Sequence, residues 1–276
     1  MPFKSKTDNI VIKKMAEWER RLFDALLLAA YALVLARLWR PLPLPGKPGW
    51  LDAVLLLLAV AGTIAALARH LPLQNVLFAA LFIGIAGGGA DWLDLKTGIP
   101  FGSFTPGHNT GPKMFSALPW AMPAIWILAI LNSRGVARLI LRPWRNLHAY
   151  GFWLIGVTAA LTVLFDLAFD PFASRVKQYW FWEPTQFPLS WQGAPLVNFF
   201  GWLVVTLLIL AFITPLLINK HPTHRRPPDF HPLAIWLGGI FLFAAAAALN
   251  RLWLATAADA AIGIVTAVFA IRGARW

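Results

Sequence analysis

Apolar runs of membrane-crossing length alternate with short polar or basic segments along the whole chain. Their spacing predicts spans at about 22–38, 51–68, 73–90, 119–131, 148–169, 196–218, 233–249 and 252–271. The fourth is short and carries Pro119 and Pro123 in its first turns. Residues 10–21 read as a short interfacial helix, and PLPLPGKPG at 41–49 as a stiff loop. Arg134, Arg138 and Arg142 fall on one helical stripe, so 134–147 reads as an amphipathic surface segment. The small residues of 84–90 invite close packing by another helix. Pro171 is read as the stop of the fifth helix. Two connections, 91–118 and 170–195, are longer than spanning requires. No internal repeat is visible. The fold class is all-α: a polytopic transmembrane helix bundle of about eight spans, with seven the alternative. The domain reading is a cytoplasmic N-terminal segment at 1–21 and a single transmembrane domain at 22–276.

Composition strengthens that picture. The chain is 59% hydrophobic and 13% charged, against about 25% charged residues in soluble domains. The absence of cysteine excludes disulfides, thiolate metal sites and cysteine nucleophiles. The formal charge of +12 comes from short clusters between spans, which argues for headgroup contacts and topology signals rather than nucleic-acid binding. With eight spans, sixteen of the 24 Lys and Arg fall on the side of the N-terminus and eight on the other. This bias predicts cytoplasmic termini in a multi-pass cell-membrane protein. It also puts loops 91–118 and 170–195 together on the non-cytoplasmic side. The polar N-terminal segment is too long for a usual signal-peptide n-region, so the first span reads as a retained anchor.

Five of the twelve carboxylates sit in or beside those two loops: Asp91, Asp94, Asp166, Asp170 and Glu183. Asp166 and Asp170 share a helix face at i,i+4, with Asp166 one turn, about 5 Å, deeper. Asp91 and Asp94 share a face at i,i+3 if the third helix persists that far. Acids at helix mouths in a membrane mark candidate functional sites. The competing reading pairs them with Lys96, Arg175 or Lys177, or leaves them in water at the headgroups. Trp92, Phe101, Phe104, Tyr179, Trp180, Phe181 and Trp182 fit an interfacial aromatic belt, yet Trp180 and Trp182 beside acids also suit a pocket that stabilises a cation. Thr97, Gly98, Ile99, Pro100, Phe101 and Gly102 form a structured turn. Asn198 and Trp202, at the start of the sixth span, suit the same pocket. The six histidines form no ligand set, a pair at His221 and His224 being better read as part of a solvated loop, and no metal is expected.

Three stretches carry a family resemblance. ADWLDLKTGIPFG at 90–102, Gly-Pro at 111–112 and LPWAMPAIW at 118–126 form one block; FDLAFDPFA at 165–173, YWFWE at 179–183 and APLVNFFGWL at 194–203 form the second. Over roughly 75–205 the chain resembles the carotenoid biosynthesis membrane proteins, whose characterised members are carotenoid 1',2'-hydratases, including bisanhydrobacterioruberin hydratase and CruF-like enzymes. It departs from the family pattern at Asp91, where a glutamate is expected, at Asp94, where a glycine is, and at Ser103-Phe104-Thr105, where tyrosines are.

The resemblance implies a linear carotenoid with a ψ end group as substrate and acid-catalysed hydration of its terminal 1',2' double bond, with no cofactor. General-acid chemistry on a lipid requires a protonated carboxyl beside an apolar cavity. The catalytic candidates are Asp166 or Asp91 as proton donor, with Asp170 and Glu183 positioning water or tuning their neighbours. Candidate substrate contacts are Trp92, Thr97, Pro100, Phe101, Gly102, Tyr179, Trp180, Trp182, Asn198 and Trp202. The expected partners are the lipid bilayer, the carotenoid and other enzymes of its pathway. Two other classes compete: a non-catalytic carotenoid- or isoprenoid-lipid-binding membrane protein, and a proton-coupled transporter. The transporter reading lacks the internal symmetry and mid-bilayer acids common in that class.

Overall fold

A computed structural model describes residues 6–40, 50–115, 118–184, 189–218 and 227–276. The loop 41–49 and the pair His221 and His224 lie outside the described residues. The protein is an all-α polytopic bundle. Its helices are α1 (Lys6–Trp39), α2 (Trp50–Ala68), α3 (Leu73–Thr97), α4 (Ala121–Ile140), α5 (Tyr150–Pro171), α6 (Leu196–Ile213), α7 (His231–Leu249) and α8 (Trp253–Ala274). Among the described residues, eight helices are long and apolar enough to cross a membrane. Helices close their own backbone hydrogen bonds, which is what a span in hydrocarbon requires.

Three boundaries differ from the sequence reading, each for a local reason. Residues 10–21 form no separate helix: no Gly or Pro interrupts 6–39, so α1 runs through them. α3 continues past Ala90 to Thr97 and ends where Gly98 adopts φ 70° and donates its N–H to Asp94 O at 2.7 Å. Asp91 and Asp94 therefore sit on a helix.

The predicted surface segment 134–147 is corrected over 134–141, which is mostly buried, while 144–147 are exposed as read. α4 is continuous to Ile140, and Arg134 is buried, donating to Leu217 O at 3.3 Å. Gly135 is the reason the region is internal. A Cβ there would lie 2.3 Å from Pro232, so glycine lets the start of α7 seat directly on α4. Pro171 ends α5, as read, and the chain passes on into a π turn, Phe172–Val176. Proline has no N–H to give Leu167 O, and the indole N–H of Trp191 donates to that carbonyl instead at 2.9 Å.

α4 is the most buried span and packs against α2, α3, α5, α7 and α8. Small residues and hydrogen bonds hold it there, as expected where lipid removes the hydrophobic incentive for helices to associate. Asn132 Nδ2 on α4 donates to Thr63 Oγ1 on α2 at 2.9 Å, and Trp236 Nε1 on α7 donates to Ser133 Oγ at 3.2 Å. α1 and α8 lie at the periphery with most of their surface exposed.

Three two-stranded antiparallel ribbons close one end of the bundle. β1 (Phe104–Pro106) pairs with β4 (Trp180–Trp182), in register Phe104 with Trp182 and Pro106 with Trp180. β2 (Lys113–Met114) pairs with β3 (Leu118–Pro119), and β5 (Ser190–Trp191) with β6 (Ala194–Pro195). The β1–β4 ribbon joins the connection after α3 to the connection after α5. The two unusual loops are thus one structure over the same ends of α3, α4, α5 and α6.

Candidate active site

The site has two halves. The first is built on the end of α3. Asp94 is buried, and its Oδ1 accepts the backbone N–H groups of Phe101 at 2.7 Å and Gly102 at 3.1 Å. This folds the loop back over the helix end, with Gly98 and Gly102 at positive φ. The fold-back drives the Phe101 ring into the bundle, where a Cβ on Gly201 would come within 2.6 Å of it. Phe101 meets Trp126 and Trp202 at ring-centroid distances of 6.0 and 6.4 Å.

Trp126 itself is placed by glycine. A Cβ on Gly87 would lie 2.3 Å from the indole, so only a bare backbone lets α4 come that close to α3. One helical turn beyond Gly87, Asp91 Oδ2 accepts the Trp126 indole N–H at 2.8 Å. The Trp126 and Trp202 rings stack at 3.6 Å, 13° from parallel, which ties α4 to α6.

The second half is built on the end of α5. Asp166 Oδ2 accepts from Asn198 Nδ2 on α6 at 2.8 Å. Asp170 accepts at both oxygens: from Trp180 Nε1 at 3.1 Å, from Trp182 Nε1 at 3.0 and 3.2 Å, and from Ser174 Oγ at 3.4 Å. Both indoles reach it because β4 lies across the helix end. Phe104, opposite Trp182 in the ribbon, packs edge-on against that ring at 5.5 Å.

The halves meet around a cavity of about 20 Å³, lined by Asp91, Asp166, Asp170 and Asn198 and by the side chains of Phe101, Phe104, Met122, Trp180, Trp182 and Trp202. That is room for one water molecule. Asp91 and Asp170 both lie within electrostatic reach of Asp166. Among the described residues, no Lys or Arg lines the space. Arg175 acts on Asp170 from outside, its exposed guanidinium donating to Gln192 O at 2.7 Å.

Of the residues read from sequence, Asp91, Asp166, Asp170, Phe101, Trp180, Trp182, Asn198 and Trp202 line the cavity, together with Phe104, read from sequence as part of the interfacial belt. The others lie outside it. Glu183 is exposed and accepts from Thr105 Oγ1 at 3.1 Å. Trp92 is on the outer face of α3, 41% exposed. Thr97 closes the helix by donating to Leu93 O at 2.9 Å. Pro100 and Gly102 shape the loop, the carbonyl of Pro100 lying against Gly201. Tyr179 donates to Asp52 Oδ2 at 3.0 Å, beside the Lys177–Asp52 ion pair at 2.8 Å. Burial, helped by the neighbouring Asp52 carboxylate, pushes the Tyr179 phenol well above its ordinary value. Lys177 thus pairs with an acid at the start of α2, not with those of the site. Met122 and Trp126 were missed by sequence reasoning. They are one turn apart on α4, and Trp126 faces Gly87 in the glycine run of α3, a pairing of patterns that was the available signal.

The comparisons with known proteins bear on this geometry. The family described as carotenoid biosynthesis protein matches residues 51–269, all but the first span and the extreme C-terminus. The chain belongs to the carotenoid biosynthesis protein family. The match takes in both halves of the site. Among curated relatives of the family, the chain is similar to the bisanhydrobacterioruberin hydratase of Haloarcula japonica, 31% identical over 127 residues. That alignment covers 45% of this chain and 41% of the relative, so the chain matches well under half of that protein's length. No solved structure matches. The protein is therefore a polytopic membrane protein of that family.

Proposed function

We propose that the protein hydrates the terminal 1',2' double bond of a linear carotenoid. The observation that carries this reading is the one-water cavity bounded by three carboxyls and by the indoles of Trp180, Trp182 and Trp202. Alkene hydration needs an acid, a water and a surface that tolerates positive charge, and these residues supply all three. The name of the Haloarcula relative supports the same reaction class.

In the proposed mechanism the carboxyl of Asp166, one turn deeper than Asp170 and bonded by Asn198 at Oδ2 only, donates a proton to the CH carbon of the terminal trisubstituted alkene. The π electrons form the new C–H bond, leaving a tertiary cation at the dimethyl carbon. Indole faces stabilise that charge, and Asp170, an acceptor at both oxygens, adds a fixed negative partner. Water in the cavity attacks the cation. Its released proton returns to Asp166, directly or by way of Asp91, so the acid is restored and the net change is addition of one water. Asp94 acts as a positioning residue, holding Phe101 against the Trp126–Trp202 stack.

Expression in a lycopene-producing host tests the reading by pigment mass. Gain of one or two waters supports it. Unchanged pigment across several acyclic carotenes would favour a carotenoid-binding protein without catalysis.

A further inference from the structure

Lys177 and Tyr179 lie outside the cavity, yet they lead directly into the strand that supplies its indoles. Both side chains end on one carboxylate. Asp52 Oδ2, in the first turn of α2, accepts from Lys177 Nζ at 2.8 Å and from Tyr179 Oη at 3.0 Å. The chain reverses between the two donors, with Gln178 at φ 53°. The Lys177 ammonium also stands 5.5 Å from the centre of the Phe172 ring. The Lys177 and Asp52 side chains are only 19% and 20% exposed, so solvent and salt screen this pair less than an open surface pair.

The backbone carries the restraint on to the site. Tyr179 N–H donates to Ala173 O in the π turn at 2.8 Å, and Tyr179 O accepts from Gly107 N–H at 2.7 Å, next to the first pair of the β1–β4 ribbon. A Cβ on Gly107 would lie 2.2 Å from Gln178 O, so the two connections touch backbone to backbone there. The residues that follow, Trp180 and Trp182, aim their indoles at Asp170 at 3.1 and 3.0 Å. Among the described residues these are its nearest side-chain donors, Ser174 Oγ standing at 3.4 Å. Such bonds hold over only a few tenths of an ångström, so a small shift of β4 uncouples both.

We propose that Asp52 is a positioning residue for the site: it holds Lys177 and Tyr179 so that β4 presents both indoles to Asp170. The proposal rests on the hydration reading for its effect on turnover, and on the distances alone for its effect on the indoles. Among the described residues, none of α2 lines the cavity, so a change at Asp52 reaches the chemistry through β4.

The test reads the indole N–H resonances of the full-length protein in detergent micelles, isotope-labelled at tryptophan nitrogen. Single replacements by phenylalanine assign the Trp126, Trp180 and Trp182 signals. Trp126, which donates to Asp91 in the other half of the site, is the internal control. Asp52→Ala removes the acceptor of both side chains. It is expected to move the Trp180 and Trp182 resonances upfield, as for indoles losing an acceptor, and to leave Trp126 in place. On substrate, kcat falls by roughly 10–10²-fold while KM stays within about twofold. Asp52→Asn keeps an acceptor for the Tyr179 hydroxyl and restores most of both effects. Tyr179→Phe removes one hydroxyl and moves the same two resonances by less, which carries the test if Asp52→Ala does not fold. Wild-type positions of both resonances in Asp52→Ala, or in Tyr179→Phe where Asp52→Ala does not fold, would overturn the proposal. So would an equal displacement of Trp126, the mark of a general loosening, or an unchanged kcat in Asp52→Ala. If the wild type hydrates nothing, the hydration reading falls while the resonances still decide the role of Asp52.

Discussion

At the residue scale, acids that look alike in sequence have different proposed roles. Asp166→Asn keeps the size of the side chain and its contact with Asn198 but cannot donate to an alkene. It is expected to lower hydration by roughly 10²–10⁴-fold, with pigment retention and thermal stability close to wild type. Equal turnover in this variant would remove Asp166 from the mechanism. Gly87 is the opposite kind of residue, with no chemistry and strict geometry. Gly87→Ala puts a methyl 2.3 Å from the Trp126 ring. It is expected to destabilise the protein by about 1–3 kcal/mol, read as a lower unfolding midpoint in detergent. Tyr179 is tied to Asp52, and its phenol is held above the ordinary value of 10.0. The folded state therefore keeps a proton that the unfolded state loses first. This contribution to stability is complete below about pH 10 and is lost as pH rises further. Alkaline unfolding curves should show that dependence in the wild type and a weaker one in Tyr179→Phe.

At the element scale, the loop after α3 depends on one carboxylate. Asp94 Oδ1 accepts two backbone N–H groups, and Asp94→Ala would leave both buried donors without their partner. The expected cost is about 1–3 kcal/mol, with Phe101 released from the tryptophan stack. Intrinsic fluorescence in the variant should report that release, and Asp94→Asn should restore part of the signal because its amide oxygen still accepts. The helix ends also mark where sequence reading ran out. Apolar length gave all eight spans, but not that α3 runs seven residues beyond Ala90, because polar residues at a helix end look like loop. Pro171 was legible as the end of α5, but not the indole of Trp191 that satisfies Leu167 O from 24 residues along the chain. Arg134 looked like surface because its stripe of arginines is amphipathic. Its burial follows from Gly135 admitting α7, a tertiary contact that no local pattern encodes.

At the scale of the whole molecule, the bundle brings two helix ends together under one ribbon. The acids of α5 and the aromatics of β4 are neighbours in sequence, and their association was legible there. Asp91 and Asp166 are far apart in the chain, and their meeting required the α3–α4–α6 packing set by Gly87, Trp126 and Trp202. Glu183 shows the converse. It follows the tryptophans directly in sequence, but strand alternation turns it to solvent, with Thr105 as partner. The hydration proposed for the site would use this cluster of acids, indoles and hydrocarbon together, in a chain that belongs to the carotenoid biosynthesis protein family.

The central claim is that a protein carboxyl protonates carbon and water captures the resulting cation. Conversion of lycopene by the purified protein in heavy water tests it most directly, with product mass read after exchange of hydroxyl protons in ordinary water. The account predicts one carbon-bound deuterium for each hydroxyl gained, and no labelled product from Asp166→Asn. A hydroxylated product without carbon-bound deuterium would contradict it.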